Sequence, residues 1–118
     1  MDKASLDVVR GTLDVLILKS LSWGTLHGYA ITSTIRRQTD DALLVEEGTL
    51  YPALHRLEAK GWIDAEWGLS ENNRRAKYYS LTAEGRRRLR EESKTWQAYV
   101  DAVTKVLTAT RPPLPEES

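Results

Sequence analysis

The chain contains no cysteine. Disulfide staples, thiol redox sensing, cysteine-based zinc sites and thiol catalysis are therefore excluded. Histidine is scarce too: His27 and His55 are the only two, and two ligands that far apart do not make a metal centre. No metal and no cofactor are expected. Neither sign of charge dominates, because Lys+Arg and Asp+Glu number 17 each, for a formal net charge of +0. That balance weighs against a nucleic-acid partner, which usually draws a basic excess, unless the cations are gathered in one place. Long apolar runs are missing. The longest, Val15–Leu18, is far too short to span a membrane, and Met1-Asp2-Lys3-Ala4-Ser5 carries no signal-peptide pattern. A soluble cytoplasmic protein without a membrane partner is the expectation. A glycine-rich phosphate loop and a nucleophile–base arrangement are also lacking, so neither catalytic residues nor enzyme activity is expected.

What is present is periodic. The 118 residues allow one small domain plus one extra element. A core of that size is thin, and apolar residues left outside it favour a partner. Thr12–Leu21 reads as a helix, capped by Thr12, with Asp14 at the positive end of its dipole. Leu13, Leu16, Ile17 and Leu21 recur at helical spacing, and Val15 and Leu18 widen the apolar face. Trp23-Gly24-Thr25 ends it. Leu26–Thr39 reads as a second helix, with Tyr29, Ala30, Ile31 and Ile35 as its inner stripe and Arg36 and Arg37 suiting its last turn. The connector Asp40–Glu46 has room for a short strand.

The third helix, Thr49–Lys60, has Leu50, Leu54 and Leu57 at i, i+4, i+7, and Gly61 stops it. Thr49 is expected to cap it. Pro52 would then stand at the third position, where its missing amide hydrogen is not needed. With the leucines turned inward, the outer arc carries Thr49, Pro52, His55, Arg56, Ala59 and Lys60, with Tyr51 at the edge. Alternation follows. Ile63, Ala65, Trp67 and Leu69 point one way, and Asp64 and Glu66 the other. Ser70–Ala76 is a polar turn, and Lys77–Leu81 a second strand with Tyr79 and Leu81 on one face. Thr82 caps a final helix running to about Leu107, with Glu84 in its first turn. In it Leu89, Trp96 and Val103 are seven apart, with Tyr99 and Val106 at half-heptad positions: a packing seam, broken by Glu92-Ser93. The prolines at 112, 113 and 115 end the helix.

The fold class read from this order is mainly α with a small β-hairpin. Three helices, the third amphipathic, followed at once by a hairpin make a winged helix-turn-helix, here with a long C-terminal dimerisation helix. Residues 1–82 are assigned to the winged-helix DNA-binding domain, 83–110 to the dimerisation helix and 111–118 to a disordered tail. A helix fits the major groove, about 12 Å wide, and the hairpin tip reaches sideways to backbone or minor groove. Asn72-Asn73-Arg74-Arg75-Ala76-Lys77 gathers three cations and two amides at the wing, and Arg56 and Lys60 add two on the helix. Acids elsewhere, such as Asp64, Glu66 and Glu116-Glu117, cancel these in the total but not in place.

The stretches Gly11-Thr12-Leu13-Asp14-Val15-Leu16-Ile17-Leu18 and Leu26-His27-Gly28-Tyr29-Ala30-Ile31 resemble the N-terminal part of PadR-type regulators. Glu47-Gly48-Thr49-Leu50-Tyr51-Pro52-Ala53-Leu54-His55-Arg56-Leu57-Glu58 resembles their recognition-helix motif. Gly61-Trp62-Ile63, Arg75-Ala76-Lys77-Tyr78-Tyr79 and Leu81-Thr82-Ala83-Glu84-Gly85 match the pieces that follow. The resemblance runs from about Leu6 to Leu107. It implies a homodimeric bacterial repressor with the C-terminal helix at the dimer interface, and, for some members, release by an aromatic or drug-like ligand near that interface. A single C-terminal helix resembles the short branch of the family.

The DNA-binding candidates are therefore Tyr29, Thr49, Tyr51, Pro52, His55, Arg56, Lys60, Asn73, Arg74, Arg75 and Lys77. The dimer candidates are Leu89, Trp96, Tyr99, Val103 and Val106. Tyr51 has two readings, a core aromatic or a DNA contact; the resemblance places the matching tyrosine at the DNA surface. Thr49 serves as a cap, a phosphate contact or both. Arg86-Arg87-Arg88 and Arg90 read first as a solvated face paired with Glu91 and Glu92, and second as a phosphate contact. Trp96 reads as seam packing or, with its mate across a dimer axis, as a sandwich for a planar aromatic effector. Trp23, Trp62 and Trp67 read as packing residues. Two functions compete: a dimeric repressor on an inverted-repeat operator of double-stranded DNA, and a winged-helix module used only for protein–protein contact.

Overall fold

Four helices and a three-stranded antiparallel sheet follow one another in the computed structural model, which describes residues 12–116. The leader reading of Met1–Ser5, the start of the resemblance at Leu6 to Gly11, and Glu117 and Ser118 lie outside the described residues. Helix α1 (Thr12–Leu21) buries Leu13, Ile17, Leu18 and Leu21. Leu16, expected in the inner stripe, is half-buried and its carbonyl accepts the Ser20 hydroxyl at 2.8 Å. The residue before Thr12 is not described, so the expected Thr12 cap has no counterpart to set beside it.

Leu26 and His27, expected to open the second helix, instead form strand β1 (Leu26–His27), paired with Tyr79 and Tyr78. Helix α2 (Gly28–Gln38) starts only after His27, whose Nδ1 accepts the Ala30 amide at 3.1 Å and caps the helix. Ile31 and Ile35 point inward as expected, whereas Tyr29 is 70% exposed. No strand forms in the connector. Asp40 and Asp41 instead turn the chain with φ of 50° and 66°, a left-handed conformation that Asp tolerates better than bulkier residues.

Helix α3 (Glu47–Ala59) begins three residues earlier than a Thr49 cap indicates. Glu46 is its N-cap and makes no side-chain cap bond, so Thr49 does not cap. Pro52 is consequently the sixth helical residue rather than the third, and its missing amide leaves the Gly48 carbonyl without its helical donor. Gly48 and Pro52 are both exposed, so water can serve that carbonyl. Leu50, Ala53, Leu54 and Leu57 turn inward. Gly61, at φ +79°, ends the helix, and the Trp62 amide closes back on the Leu57 carbonyl at 3.1 Å.

Strands β2 (Ile63–Leu69) and β3 (Arg75–Leu81) form the hairpin, from Ile63 opposite Leu81 to Leu69 opposite Arg75. β1 adds on the free side of β3, so the sheet order is β1-β3-β2. Ile63 and Tyr79 at its base are buried, but Trp67 is 57% exposed: the alternation continues after the strands have left the core. Of the three tryptophans read as packing residues, Trp62 packs against the core as expected, whereas Trp23 and Trp67 are exposed; all three carry a cation. Lys19 lies over Trp23 at 4.7 Å, Arg75 over Trp67 at 4.5 Å, and both Lys60 and Arg88 over Trp62 at 4.6 Å.

Helix α4 (Ala83–Leu107) is capped by Thr82, whose Oγ1 accepts the Gly85 amide at 3.0 Å. The Thr82 amide also donates to the Trp62 carbonyl at 3.1 Å. Leu89 packs against the core inside this chain, so it is not part of an entirely uncovered seam. Beyond it the helix leaves the body, which gives the molecule a long axis of 65 Å. Trp96, Tyr99, Val103, Val106 and Leu107 are exposed along it.

In the basic run at the start of α4, Arg87 and Arg88 are paired as expected; Arg86 and Arg90 make no ion pair among the described residues. Arg87 meets Glu91 at 2.7 Å, Arg88 meets Glu92 at 2.8 Å, and Arg87 also pairs with Glu84. That hydrogen bond holds the Glu84 carboxyl below its ordinary value of 4.5. A lowered folded value means the contribution is present above the ordinary value and disappears as pH falls through the folded one. Helicity of α4 should therefore decline in acid only below about pH 4.5, with Glu84→Gln removing part of that decline in a circular-dichroism titration.

Candidate nucleic-acid interface

An open groove lies between the outer faces of α2 and α3 and the hairpin. Each wall exists because a buried stripe fixes the opposite face of its element. Ile31 and Ile35 hold α2, Leu50, Leu54 and Leu57 hold α3, and Ile63 with Tyr79 anchors the hairpin. The groove is lined by Tyr29, Ser33, Thr34 and Arg37 from α2, Tyr51 and His55 from α3, and Trp67, Arg74, Arg75 and Lys77 from the hairpin. Four cations thus face one concavity in a chain whose total charge is zero. The acid among the lining residues is Glu71.

Tyr51 falls between its two readings. It is 39% exposed, and its hydroxyl end fills the space where a side chain at position 28 would stand. It thereby braces α3 against the start of α2 while keeping one edge open to the groove. Tyr79 sits behind it; burial, then the neighbouring Tyr51 and Glu58, push its hydroxyl pKa up. His27 packs edge-on against Tyr78 at 5.5 Å and stacks with Tyr29 at 6.4 Å, so the α2 end of the groove is aromatic.

The wing tip is built by a tight turn. The Ser70 amide donates to the Arg74 carbonyl at 2.8 Å, and Asn73 takes a φ of 57°, which asparagine accepts at small cost. Tyr78 stiffens the arm by donating its hydroxyl to the Leu69 carbonyl at 3.0 Å. Arg75 rests on Trp67, so its guanidinium is held at the groove, whereas the Arg74 bond that involves its turn is the backbone amide to Ser70 Oγ at 3.3 Å.

The candidates do not all meet in one place. Tyr29, Tyr51, His55, Arg74, Arg75 and Lys77 line the groove. Asn73 is exposed at the turn. Thr49 and Pro52 are exposed on α3 outside the lining. Arg56 turns toward α1 and bonds Asp14 at 2.7 Å, Lys60 covers Trp62 at the end of α3, and Lys77 reaches Glu58 at 3.6 Å. Ser33, Thr34, Arg37 and Trp67 were not expected in the groove. Tyr29, Ser33 and Arg37 share one face of α2 at four-residue spacing; that signal was legible, but it requires knowing that Tyr29 points outward.

Residues 17–91 match the family described as the transcriptional regulator PadR-like family. A transcriptional regulator from Clostridium thermocellum superposes with a TM-score of 0.75 at 35% identity, over 82% of this chain and 94% of that one. A PadR family transcriptional regulator from Eggerthella lenta gives 0.71 at 37% identity, over 86% of each chain. An uncharacterised protein of Lysinibacillus sphaericus is 36% identical over 90 residues, 76% of this chain and 83% of its own length. The winged-helix arrangement and the match over most of its length identify the chain as a member of the PadR-like family of transcriptional regulators.

Proposed function

We propose that the chain is a cytoplasmic homodimeric repressor that grips an inverted-repeat operator, with α3 in the major groove and the wing on the adjoining phosphates. The observation that carries this reading is the gathering of Arg37, Arg74, Arg75 and Lys77 around one concavity of a neutral chain. DNA offers a phosphate charge every few ångströms, and such a cluster complements it where the total charge does not. With it goes the proposed division of labour, residues 1–82 for DNA binding, 83–110 for joining two copies and 111–118 as a tail.

Dimerisation is supported by Trp96, Tyr99, Val103 and Val106, exposed on the part of α4 that has left the body. Four groove cations per copy are few, so two copies are needed to hold DNA tightly. Two recognition helices then call for half-sites about one helical turn apart. Trp96 and Tyr99 lie 5.8 Å apart, and a planar aromatic effector inserted at this seam is the proposed route of release.

The test has two parts. Light scattering at micromolar concentration should give twice the mass of the chain. An anisotropy titration should show the duplex from the protein's own upstream region binding about a thousand-fold more tightly than a shuffled duplex of equal length. Equal binding of both duplexes at moderate salt would defeat the repressor reading and favour a protein–protein module.

A further inference from the structure

We propose that His55, rather than Arg56, is the base-reading side chain of α3, and that its target is the N7 acceptor of a purine. The inference rests on the DNA-binding reading above and deepens it. Arg56 is the residue of α3 with the richest set of donors, and arginine is the common reader of guanine. Here, however, it is engaged elsewhere. Its Nη2 lies 2.7 Å from Asp14 Oδ1, and the Asp14 side chain is only 20% exposed. To reach a base, Arg56 would have to leave a carboxylate with little water to replace it. One residue along a helix turns the side chain by more than a quarter of a circle, so Arg56 faces α1 while His55 faces the groove.

Of the other cations near α3, Lys60 covers Trp62, and Lys77 stands on the wing strand rather than on the helix. His55 is exposed, lines the groove, and has no hydrogen-bond or ion-pair partner among the described residues. Pro52 and Ala59, exposed one turn to either side of it, are short and apolar, which lets this part of α3 approach the groove floor. The helix carries no Asn or Gln, so the paired contact that those side chains make with adenine is not available. An imidazole N–H is a single donor. In the major groove its natural match is N7, the acceptor that adenine and guanine both present. Arg56 is then a positioning residue that latches α3 to α1.

The experiment uses the full-length protein and its own upstream duplex, with 7-deazaguanine or 7-deazaadenine replacing one purine at a time. These bases keep Watson–Crick pairing and lose only the N7 acceptor. Wild-type protein should lose about five-fold in affinity at one symmetric pair of positions, the loss of one hydrogen bond. His55→Ala should bind the unmodified duplex correspondingly less well and be indifferent to the substitution. Arg56→Ala should keep the same five-fold sensitivity as wild type. Sensitivity retained in His55→Ala and lost in Arg56→Ala would overturn the assignment. Tight binding of the unmodified duplex with no 7-deaza effect at any position would overturn it while leaving the DNA-binding reading intact. Absence of preferential binding to the unmodified duplex would overturn both.

Discussion

Replacing both Arg74 and Arg75 with alanine should weaken operator binding about a hundred- to thousand-fold at physiological salt and flatten its salt dependence. In a dimer the double variant removes four cations. Each phosphate contact contributes about 0.9 to the slope of log affinity against log salt, so the slope should fall by up to about 4. Arg75 stacks on Trp67 at 4.5 Å and is held ready, so the Arg75 half of the loss should be the larger. The effect should be nearly uniform across DNA sequences, because phosphate contacts carry no base information. Both residues are exposed, so the unfolding free energy from a urea melt should stay within about 0.5 kcal/mol of wild type. An anisotropy titration at three salt concentrations, run beside a urea melt, separates binding from folding. Unchanged affinity in a folded variant would take the wing off the DNA.

Gly85→Ala should destabilise the protein by about 3 kcal/mol or more. In an ordinary helix the same exchange stabilises by about 1 kcal/mol, so the sign itself is diagnostic. A Cβ at position 85 would stand 2.0 Å from the Trp62 carbonyl oxygen and 2.9 Å from Leu81 Cδ1. The oxygen is backbone and cannot swing aside, since it accepts the Thr82 amide at 3.1 Å. Relief would require lifting the first turn of α4 off Gly61 and Trp62, which breaks the bonds of the Thr82 hydroxyl and amide to those carbonyls and uncovers Leu89. A lowered urea midpoint at unchanged slope is the expected readout. A raised midpoint would mean that α4 does not seat on Trp62 as described.

Most elements were legible because their signals are local. The Leu13–Ile17–Leu21 spacing, the leucines of α3, the Gly61 stop, the Thr82 cap and the length of α4 all depend on neighbours within a turn or two. The misreadings share the opposite property. Leu26 and His27 are strand because Tyr78 and Tyr79, far along the chain, supply their partners, and two residues are too few to show a period. Tyr29 is exposed because Gly28, Ile31 and Ile35 form the buried stripe of α2 and leave it on the outer side. α3 starts before Thr49 because Glu46 caps it without a side-chain bond, which leaves no local mark, and an exposed Pro52 is tolerated inside it. The Arg56–Asp14 bond is likewise not visible locally, because the two residues stand 42 positions apart. The clustering of cations at 74, 75 and 77 was visible in the sequence; that Arg37 joins them across the groove was not.

The central claim is that α3 and the wing of each of two copies form one DNA-reading surface. A hydroxyl-radical footprint of the protein on its own upstream duplex tests this most directly. The account predicts two protected tracts related by symmetry, with centres about one helical turn apart, both lost together in the Arg74→Ala/Arg75→Ala variant. No protection at saturating protein, or protection unaltered in that variant, would contradict it.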